Sequence, residues 1–227
     1  MKLPEKHPLE NARSYALRVL LDNIINLELA PGSAVSEKEL SLQMNLSRTP
    51  VREALIELSK LKLVEILPQR GSYITKIDYN LIEETRFMRM VLENAVVELA
   101  CSQGMEEQYL ESMKENLVQQ QVHLMSTDNA LLLKLDNDFH RIIFQSVNKM
   151  GIYEVIRQQM VHADRLRSLT IKLIQNEIVT NDHENIFYAL KRRDGELAKM
   201  IMTRHLTRYE DEKSEVYRNY PDYFVTD

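Results

Sequence analysis

A single stretch of this 227-residue chain has the pattern of β-strands, and it separates two regions with helical patterns. Residues 63–67 and 73–77 are short runs rich in Val, Ile and Tyr, and residues 68–71 between them have the composition of a hairpin loop. Before and after this hairpin, apolar residues recur every three or four positions, as they do in amphipathic helices. The pattern therefore restricts the chain to a mostly α fold with one small β element.

Three helical segments precede the hairpin. The first covers residues 9–28. The second opens at Ser36, which has an acidic residue three positions later, the spacing of a capping box. The third opens at Ser47, which we expect to cap it, carries Pro50 in its first turn and continues to about Lys60. A helix, a helix-turn-helix and then a β-hairpin is the order of elements in a winged helix-turn-helix domain.

Everything after residue 78 has helical periodicity. Breaks at Gly or at short polar residues divide this region into six segments, roughly 79–103, 105–124, 128–148, 151–176, 179–193 and 195–216. Short loops between such segments predict an antiparallel bundle of six to seven helices. The tail from Asn219 to Asp227 is expected to be loosely held.

The charge distribution suggests two domains, residues 1–77 and residues 78–227. The first carries 11 Lys and Arg against 9 Asp and Glu, whereas the second carries 18 against 25. Only the first is therefore suited to contact a polyanion. The single cysteine, Cys101, excludes an internal disulfide. Because the chain also has no signal-peptide core and no apolar run of membrane-spanning length, we expect a cytoplasmic protein without a membrane partner.

The most specific local signal is the run SRTPVREA at residues 47–54. Arg48 and Arg52 lie four residues apart, on one side of the predicted helix, where either guanidinium can pair with the O6 and N7 atoms of a guanine. The hydroxyls of Ser47 and Thr49 and the positive end of the helix suit phosphate. The alternative interpretation is a solvated basic helix with ordinary caps.

Three residues outside that helix add to the signal. Lys38, at the start of the preceding helix, can bind phosphate. Arg70 and Gly71, at the hairpin loop, can reach the minor groove or the DNA backbone, since glycine lets the main chain approach closely. Together with the recognition helix, they favour DNA binding over a solvated surface.

Three of the six histidines form a second pattern with one aspartate. Asp136 and His140 are separated by four residues and share a helical face. His183 and His205 each lie on the apolar face of their own predicted helix, so all four side chains are expected to point into the bundle. Three imidazoles and a carboxylate are suitable ligands for Zn²⁺, Ni²⁺ or Mn²⁺. Ordinary buried histidines and an arginine-paired aspartate remain the alternative.

Residues 9–77 resemble the winged helix of the GntR family of bacterial transcription regulators. The resemblance rests on Pro31-Gly32, residues 36–40, residues 47–55 and Arg70-Gly71. It assigns DNA contacts to Lys38, Ser47, Arg48, Thr49, Arg52, Arg70 and Gly71. One departure is Lys62, where the family usually has a glycine before Leu-Val, and this puts the turn into the first strand in question.

Residues 78–227 are similar to the helical ligand-binding domain, called FCD, of the FadR subgroup of that family. The stretches that carry this similarity are residues 89–93 with Ala100, residues 136–140, and residues 182–190 followed by Asp194, Ala198 and His205-Leu206. Many members with this set of one aspartate and three histidines bind a divalent metal, so the resemblance assigns the ligands Asp136, His140, His183 and His205. The fatty-acyl-binding member lacks the set, so the resemblance implies a small organic acid as effector rather than acyl-CoA.

Arg89 is the first candidate for binding the carboxylate of such an effector, because a planar guanidinium can pair with it bidentately. A structural salt bridge to Glu93, four residues later, is the alternative interpretation. Arg86, Arg165 and Arg167 are weaker candidates for the same role.

These features predict a DNA-binding transcription regulator, a repressor in the simplest case, that binds a palindromic operator as a homodimer. A small carboxylate bound in a metal-containing bundle would modulate its affinity. One rival is a metal-dependent enzyme with an accessory nucleic-acid-binding module, although no nucleophile or general-base motif accompanies the predicted ligands. A second rival is a metal ion that only holds the bundle together.

Overall fold

The computed structural model describes residues 1–125, 128–173 and 177–225 of the chain. It divides the chain into two compact units, one of residues Met1–Tyr79 with Tyr220–Asp227 and one of residues Asn80–Asn219. Among the described residues, no helix combines the length and the apolar character that crossing a bilayer requires.

The first unit has the element order of a winged helix. Its elements are α1 (Ala12–Ile25), β1 (Ala34–Val35), α2 (Glu37–Gln43), α3 (Arg48–Lys60), β2 (Val64–Leu67), β3 (Gly71–Ile74) and a 3₁₀-helix (Pro221–Tyr223). The Ser36 hydroxyl accepts a hydrogen bond from the Glu39 N–H and so caps α2 as predicted. Ser47 stands at the N-cap position of α3, but its side chain makes no capping hydrogen bond, so that part of the prediction was wrong.

The wing has three strands rather than the two predicted. They form an antiparallel sheet of order β1-β3-β2. With only two residues, β1 is too short to produce a sequence pattern; it pairs Ala34 with Tyr73. Pairing of Leu67 with Gly71 closes the hairpin. The second predicted strand, residues 73–77, is displaced because the chain leaves the hairpin after Ile74.

The turn that precedes β2 contains Lys62, the residue that departs from the family pattern. Its φ angle is 57°, in the left-handed region that glycine adopts without a Cβ penalty. Its N–H donates to the Ser59 carbonyl at 3.0 Å, and the Leu63 N–H donates to the Leu58 carbonyl at 3.0 Å. The turn that ends α3 therefore forms with lysine in place of glycine, and β2 begins one residue later than predicted.

The described part of the C-terminal tail, up to Val225, packs within the first unit, so the expectation that these residues are loosely held was wrong. Phe224 is fully buried, and its ring stacks on that of Tyr79 with centroids 4.9 Å apart. The Ile77 N–H donates to the Tyr223 carbonyl at 2.8 Å, and the Val225 N–H donates to the Ile77 carbonyl at 3.0 Å. Local composition could not indicate this contact, because its partner is about 150 residues away in the chain.

Eight helices are described in the second unit, against six to seven predicted. They are α4 (Tyr79–Gln103), α5 (Glu107–Val122), α6 (Asn129–Ser146), α7 (Met150–Gln159), α8 (Val161–Leu173), α9 (Glu177–Lys191), α10 (Gly195–Thr207) and α11 (Tyr209–Asn219). The predicted segments 151–176 and 195–216 are each interrupted, near Met160 and Arg208. Neither break carries Gly or Pro, so periodicity alone could not find it.

Three further predicted features concern Gly151, residues 126–127 and residues 174–176. Gly151, predicted to separate two helices, lies inside α7. The predicted break at Ser126 and Thr127, and the predicted helical residues 174–176, lie outside the described residues.

The core of the second unit brings α6, α9 and α10 together. Helix α5 packs on α6 and α9, and α9 packs on α10. At the centre, the fully buried Phe139 of α6 stacks on the ring of His183 of α9, with centroids 4.1 Å apart. This apolar contact places one of the predicted ligands beside the helix that carries two others.

Candidate metal centre and nucleic-acid interface

The four predicted metal ligands meet in the interior of the second unit. One ligand atom from each of Asp136, His140, His183 and His205 lies within 4.8 Å of the others. The Nε2 atoms of His140 and His205 are 3.2 Å apart. His183 Nε2 lies 3.7 Å from Asp136 Oδ1, and His140 Nε2 lies 3.9 Å from Asp136 Oδ2. The Nε2 atoms of His140 and His183 thus face the Asp136 carboxylate, and that of His205 lies beside His140 Nε2.

Two of the three imidazoles have a polar partner behind them, at Nδ1. Glu93 Oε2 lies 2.5 Å from His140 Nδ1, and Gln120 Oε1 lies 2.8 Å from His183 Nδ1. Asp182 Oδ2 lies 3.9 Å from His205 Nδ1, beyond hydrogen-bond distance. Such outer groups orient the ring and direct the other nitrogen toward a metal.

The pKa shifts of His183, His205 and Asp136 favour the protonation states that coordination needs. Burial lowers the pKa of His183 to about 3 and holds the pKa of His205 well below its ordinary value. Burial alone would raise the pKa of the Asp136 carboxyl, but nearby positive charge, above all that of Arg167, holds it well below its ordinary value. Neutral imidazoles and an ionised carboxylate are the forms that bind metal ions.

A divalent cation fits this donor set. His183 Nε2 is buried and has no hydrogen-bond partner within the described part of the chain. A buried polar atom without a partner is costly, and a cation among the Nε2 atoms would satisfy it. Three imidazole nitrogens and one carboxylate oxygen suit Zn²⁺, Ni²⁺ or Mn²⁺.

The other candidate interface is on α3 of the first unit. Val51, Ala54 and the leucines that follow them are buried, whereas Arg48 and Arg52 are exposed on the opposite side. The Arg52 side chain is 71% exposed, and its Nε lies 3.9 Å from the Glu37 carboxylate, a weak surface contact. Both arginines are therefore accessible to a partner molecule.

The remaining predicted DNA-contacting residues are also on the surface of the first unit. Lys38, Ser47, Thr49 and Arg70 are all exposed. Gly71 has a φ angle of 103°, and a Cβ atom added there would meet nothing within 4 Å. Glycine at this position is therefore required by the backbone conformation of the hairpin and not by crowding.

The chain matches the family "Bacterial regulatory proteins, gntR family" over residues 16–74 and the FCD domain over residues 84–208. It is 32% identical over 219 residues to the HTH-type transcriptional repressor RspR of Escherichia coli (strain K12), and the match covers 96% of each chain. This chain is a GntR-family transcription regulator with an FCD domain. The family and these relatives are DNA-binding regulators, so the rival interpretation as a metal-dependent enzyme was wrong.

Two solved structures have the fold of this GntR-family regulator. E. coli McbR/YncC aligns with a TM-score of 0.76 and 21% identity, covering 93% of this chain and 100% of that one. A GntR regulator from Rhodococcus sp. RHA1 aligns with a TM-score of 0.72 and 23% identity, covering 92% of this chain and 98% of that one. Both similarities extend over the winged helix and the helical domain.

The arginines that the sequence ranked as candidates for binding an effector carboxylate have contacts that do not follow that ranking. Arg89 is buried and donates through Nε to Glu93, the salt bridge that the sequence left open as the alternative. Arg167, a weaker candidate from sequence, donates to Asp136 directly and to Asp164 Oδ1 at 2.7 Å. Arg167 therefore contacts a predicted ligand directly. Arg89 instead pairs with Glu93, the carboxylate next to His140.

The other two arginines named from the sequence have different environments. Arg86 donates from Nε to the Leu206 carbonyl at 3.2 Å and so connects α4 to α10. Arg165 is fully buried, and burial lowers the pKa of its guanidinium to about 10.

Sequence reasoning missed the groups behind the imidazoles. Glu93 was considered only as a partner of Arg89, and Gln120 was not singled out. Asp182 is adjacent to a predicted ligand, which is a usable signal. Gln120 lies 63 residues from His183 and carries no motif, so only the packing of α5 on α9 reveals their contact.

Proposed function

We propose that this GntR-family regulator represses transcription in the cytoplasm by binding a palindromic operator as a homodimer, and that a small organic acid bound at a metal ion in the FCD domain changes its affinity for the operator. The relative RspR is a transcriptional repressor, which supports the direction of regulation. The observation that carries the sensing part is the convergence of one ligand atom from each of Asp136, His140, His183 and His205 within 4.8 Å of one another.

In this proposal, α3 enters the major groove. Arg48 and Arg52 contact base edges, where each bidentate contact to a guanine is worth about 1–3 kcal/mol of discrimination. The N-terminus of α3, with Ser47 and Thr49, contacts phosphate. Lys38 supports the same contact from α2, and Arg70 and Gly71 approach the DNA from the wing. In a homodimer, two copies of α3 would read the two halves of the palindrome.

The metal ion would be held by Asp136, His140, His183 and His205. When bound, it supplies a Lewis acid to which the carboxylate of an effector can coordinate. Four protein ligands complete a tetrahedral site but leave two positions on an octahedral ion. Sensing through the metal therefore requires an ion that accepts more than four ligands.

Arg89 is proposed to contact the effector. Its hydrogen bond to Glu93 uses Nε, so its two terminal nitrogens can still donate to a carboxylate. Glu93 joins it to the cluster, because one oxygen of that carboxylate accepts from Arg89 and the other lies 2.5 Å from His140 Nδ1. The effector would thus be bound at one end by the metal and at the other by Arg89.

Effector and operator must be coupled reciprocally. If the effector weakens operator binding by some factor, the operator weakens effector binding by the same factor. Typical couplings are about 1–3 kcal/mol, or roughly 5–150-fold in affinity.

The proposal is tested by stripping the protein of metal, restoring Zn²⁺, Ni²⁺ or Mn²⁺ in turn, and measuring its melting temperature with a panel of sugar acids, lactate-like acids and dicarboxylates. We expect at least one acid to raise the melting temperature only when metal is present. That acid should change the affinity for a duplex selected from a random library by roughly 5–150-fold.

Two variants of α6 show whether the response depends on the proposed metal site, one at a ligand and one as its matched control. Asp136→Asn should abolish the response to the acid, whereas Asp138→Asn, a change at a surface carboxylate of the same helix paired with Arg141, should leave it intact. If chelation lowers the melting temperature but no acid alters it, the metal is only structural and the sensing proposal is wrong.

A further inference from the structure

A chain of buried amide groups leads from the backbone of α6 to the imidazole of His183. The Asn116 side-chain N–H donates to the Leu135 carbonyl at 3.0 Å. The Gln120 side-chain N–H donates to Asn116 Oδ1 at 2.7 Å, and Gln120 Oε1 lies 2.8 Å from His183 Nδ1. Asn116, Gln120 and His183 are all buried. Leu135 directly precedes the ligand Asp136, so the chain of hydrogen bonds connects α6 and α9, two of the three helices that supply ligands.

The direction of every hydrogen bond in this chain is set by its first member. A backbone carbonyl can only accept, so Asn116 must present its NH₂ group to Leu135 and its oxygen to Gln120. Gln120 must then present its NH₂ group to Asn116 and its oxygen to His183. An amide oxygen can only accept, so the nitrogen that faces it has to carry a proton.

We infer that the relay of Asn116 and Gln120, anchored on the Leu135 carbonyl, holds the proton of His183 on Nδ1 and thereby keeps Nε2 as a lone pair directed at Asp136 and the metal. This inference rests on the proposed metal site, because it states how one of its ligands is kept competent. Gln120 is in this sense a positioning residue, which acts on the metal only through the imidazole of His183.

The relay opposes a specific competing state. His183 Nε2 lies 3.7 Å from Asp136 Oδ1, and a proton on Nε2 would allow a short shift to form a hydrogen bond there. That tautomer would block Nε2 as a ligand and occupy the carboxylate as well. With Gln120 in place, the same shift would leave the Gln120 oxygen facing an unprotonated nitrogen, which is unfavourable in a buried site.

His183 differs in this respect from the other two imidazoles. The group closest to Nδ1 of His140 is the Glu93 carboxylate, and the carboxylate nearest to Nδ1 of His205 is Asp182 at 3.9 Å; a carboxylate favours a protonated ring. Gln120 carries no charge and gives no additional support to a protonated ring. The amide therefore selects the neutral tautomer with the proton on Nδ1.

The direct test is the tautomer of His183 in the metal-stripped, full-length protein, measured by two-bond ¹H–¹⁵N correlation NMR on ¹⁵N-histidine-labelled protein. The His183→Gln variant assigns the signals. We expect Nδ1 to have the shift of a protonated nitrogen and Nε2 that of a bare one. A wild-type protein with the proton on Nε2 would overturn the inference without any variant having to fold.

Three variants sharpen the test. Gln120→Leu removes the acceptor and should move the proton of His183 to Nε2. Gln120→Glu keeps an acceptor oxygen opposite Nδ1 and should keep the proton there. Gln119→Leu, at an exposed glutamine of the same helix, should change nothing. An unchanged tautomer in a folded Gln120→Leu protein would contradict the inference.

Metal binding provides the second readout. Competition with a chelator should show Ni²⁺ or Zn²⁺ bound about 10–100-fold more weakly by Gln120→Leu than by wild type, the usual effect of losing an outer-sphere partner. Gln119→Leu should bind as wild type does. Because the tautomer is measured without metal, a protein that has the expected tautomer but binds neither ion would refute the proposed metal site and leave the relay standing.

Discussion

The two units of this GntR-family regulator place their functional residues in opposite ways. In the first unit, Arg48 and Arg52 are neighbours in sequence and stand on the surface, supported by a buried apolar face of the same helix. In the second unit, the candidate ligands come from three helices and meet in the interior, with further groups from two more helices behind them. A surface site of this kind needs only one well-formed helix, whereas the buried site needs the whole bundle.

Because of this difference, we expect changes at the buried site to lower both the metal affinity and the free energy of unfolding. Asp136→Asn removes the anionic ligand and leaves Arg167 paired with Asp164 alone. We expect metal affinity, measured against a chelator, to fall by more than the roughly 10–100-fold typical of outer-sphere changes. The free energy of unfolding should fall as well, by less than the 3–5 kcal/mol or so typical of breaking a buried ion pair, because Asp164 remains. Asp138→Asn is the control, and equal losses in both variants would contradict the assignment.

The tail is the one place where the first unit also depends on distant residues. Phe224→Ala should lower the free energy of unfolding of that unit by about 3–5 kcal/mol, because it empties a fully buried aromatic site. Chemical denaturation of the full chain measures the loss. Val225→Ala, at a half-exposed neighbour, should have little effect, and a wild-type-like Phe224→Ala protein would mean that the tail does not support the winged helix.

At the surface site, single changes should alter DNA binding without altering stability. Lys38→Ala removes one proposed phosphate contact, so the slope of log affinity against log salt should become shallower by about 0.9 for every duplex sequence alike. Titrations at several salt concentrations measure this slope. Lys60→Ala, at the other end of α3, should leave it unchanged, and an effect confined to one duplex sequence would argue for a base contact instead.

The smallest expected effect tests the backbone of the first unit. Lys62→Gly should raise the free energy of unfolding by up to about 1 kcal/mol, because glycine adopts the left-handed conformation without a Cβ penalty. Lys60→Gly, two residues earlier and inside α3, should lower it by up to about 1 kcal/mol. Thermal denaturation compares the two, and a loss of stability in Lys62→Gly would contradict this reading of the turn.

The same difference between the units explains what the sequence could predict. The order of elements in the winged helix, the exposed arginines and the four candidate ligands all follow from local patterns or short motifs. The two-residue strand β1, the break near Met160 and the docking of Phe224 on Tyr79 depend on distant packing and have no local signal. For the same reason, the sequence indicated the ligands themselves but not Gln120, whose role arises only where α5 meets α9.

The most direct test of the account is the affinity of the Arg48→Ala/Arg52→Ala double variant for a duplex selected by the wild-type protein, measured at moderate salt. As a control, Lys114→Ala/Lys191→Ala removes the same charge from exposed positions of the helical unit. We expect a loss of about 2–6 kcal/mol in binding free energy for the arginine variant, with an unchanged melting temperature, and near-wild-type binding for the control. Undiminished affinity and sequence preference in a folded arginine variant would contradict the assignment of α3 as the DNA-reading element.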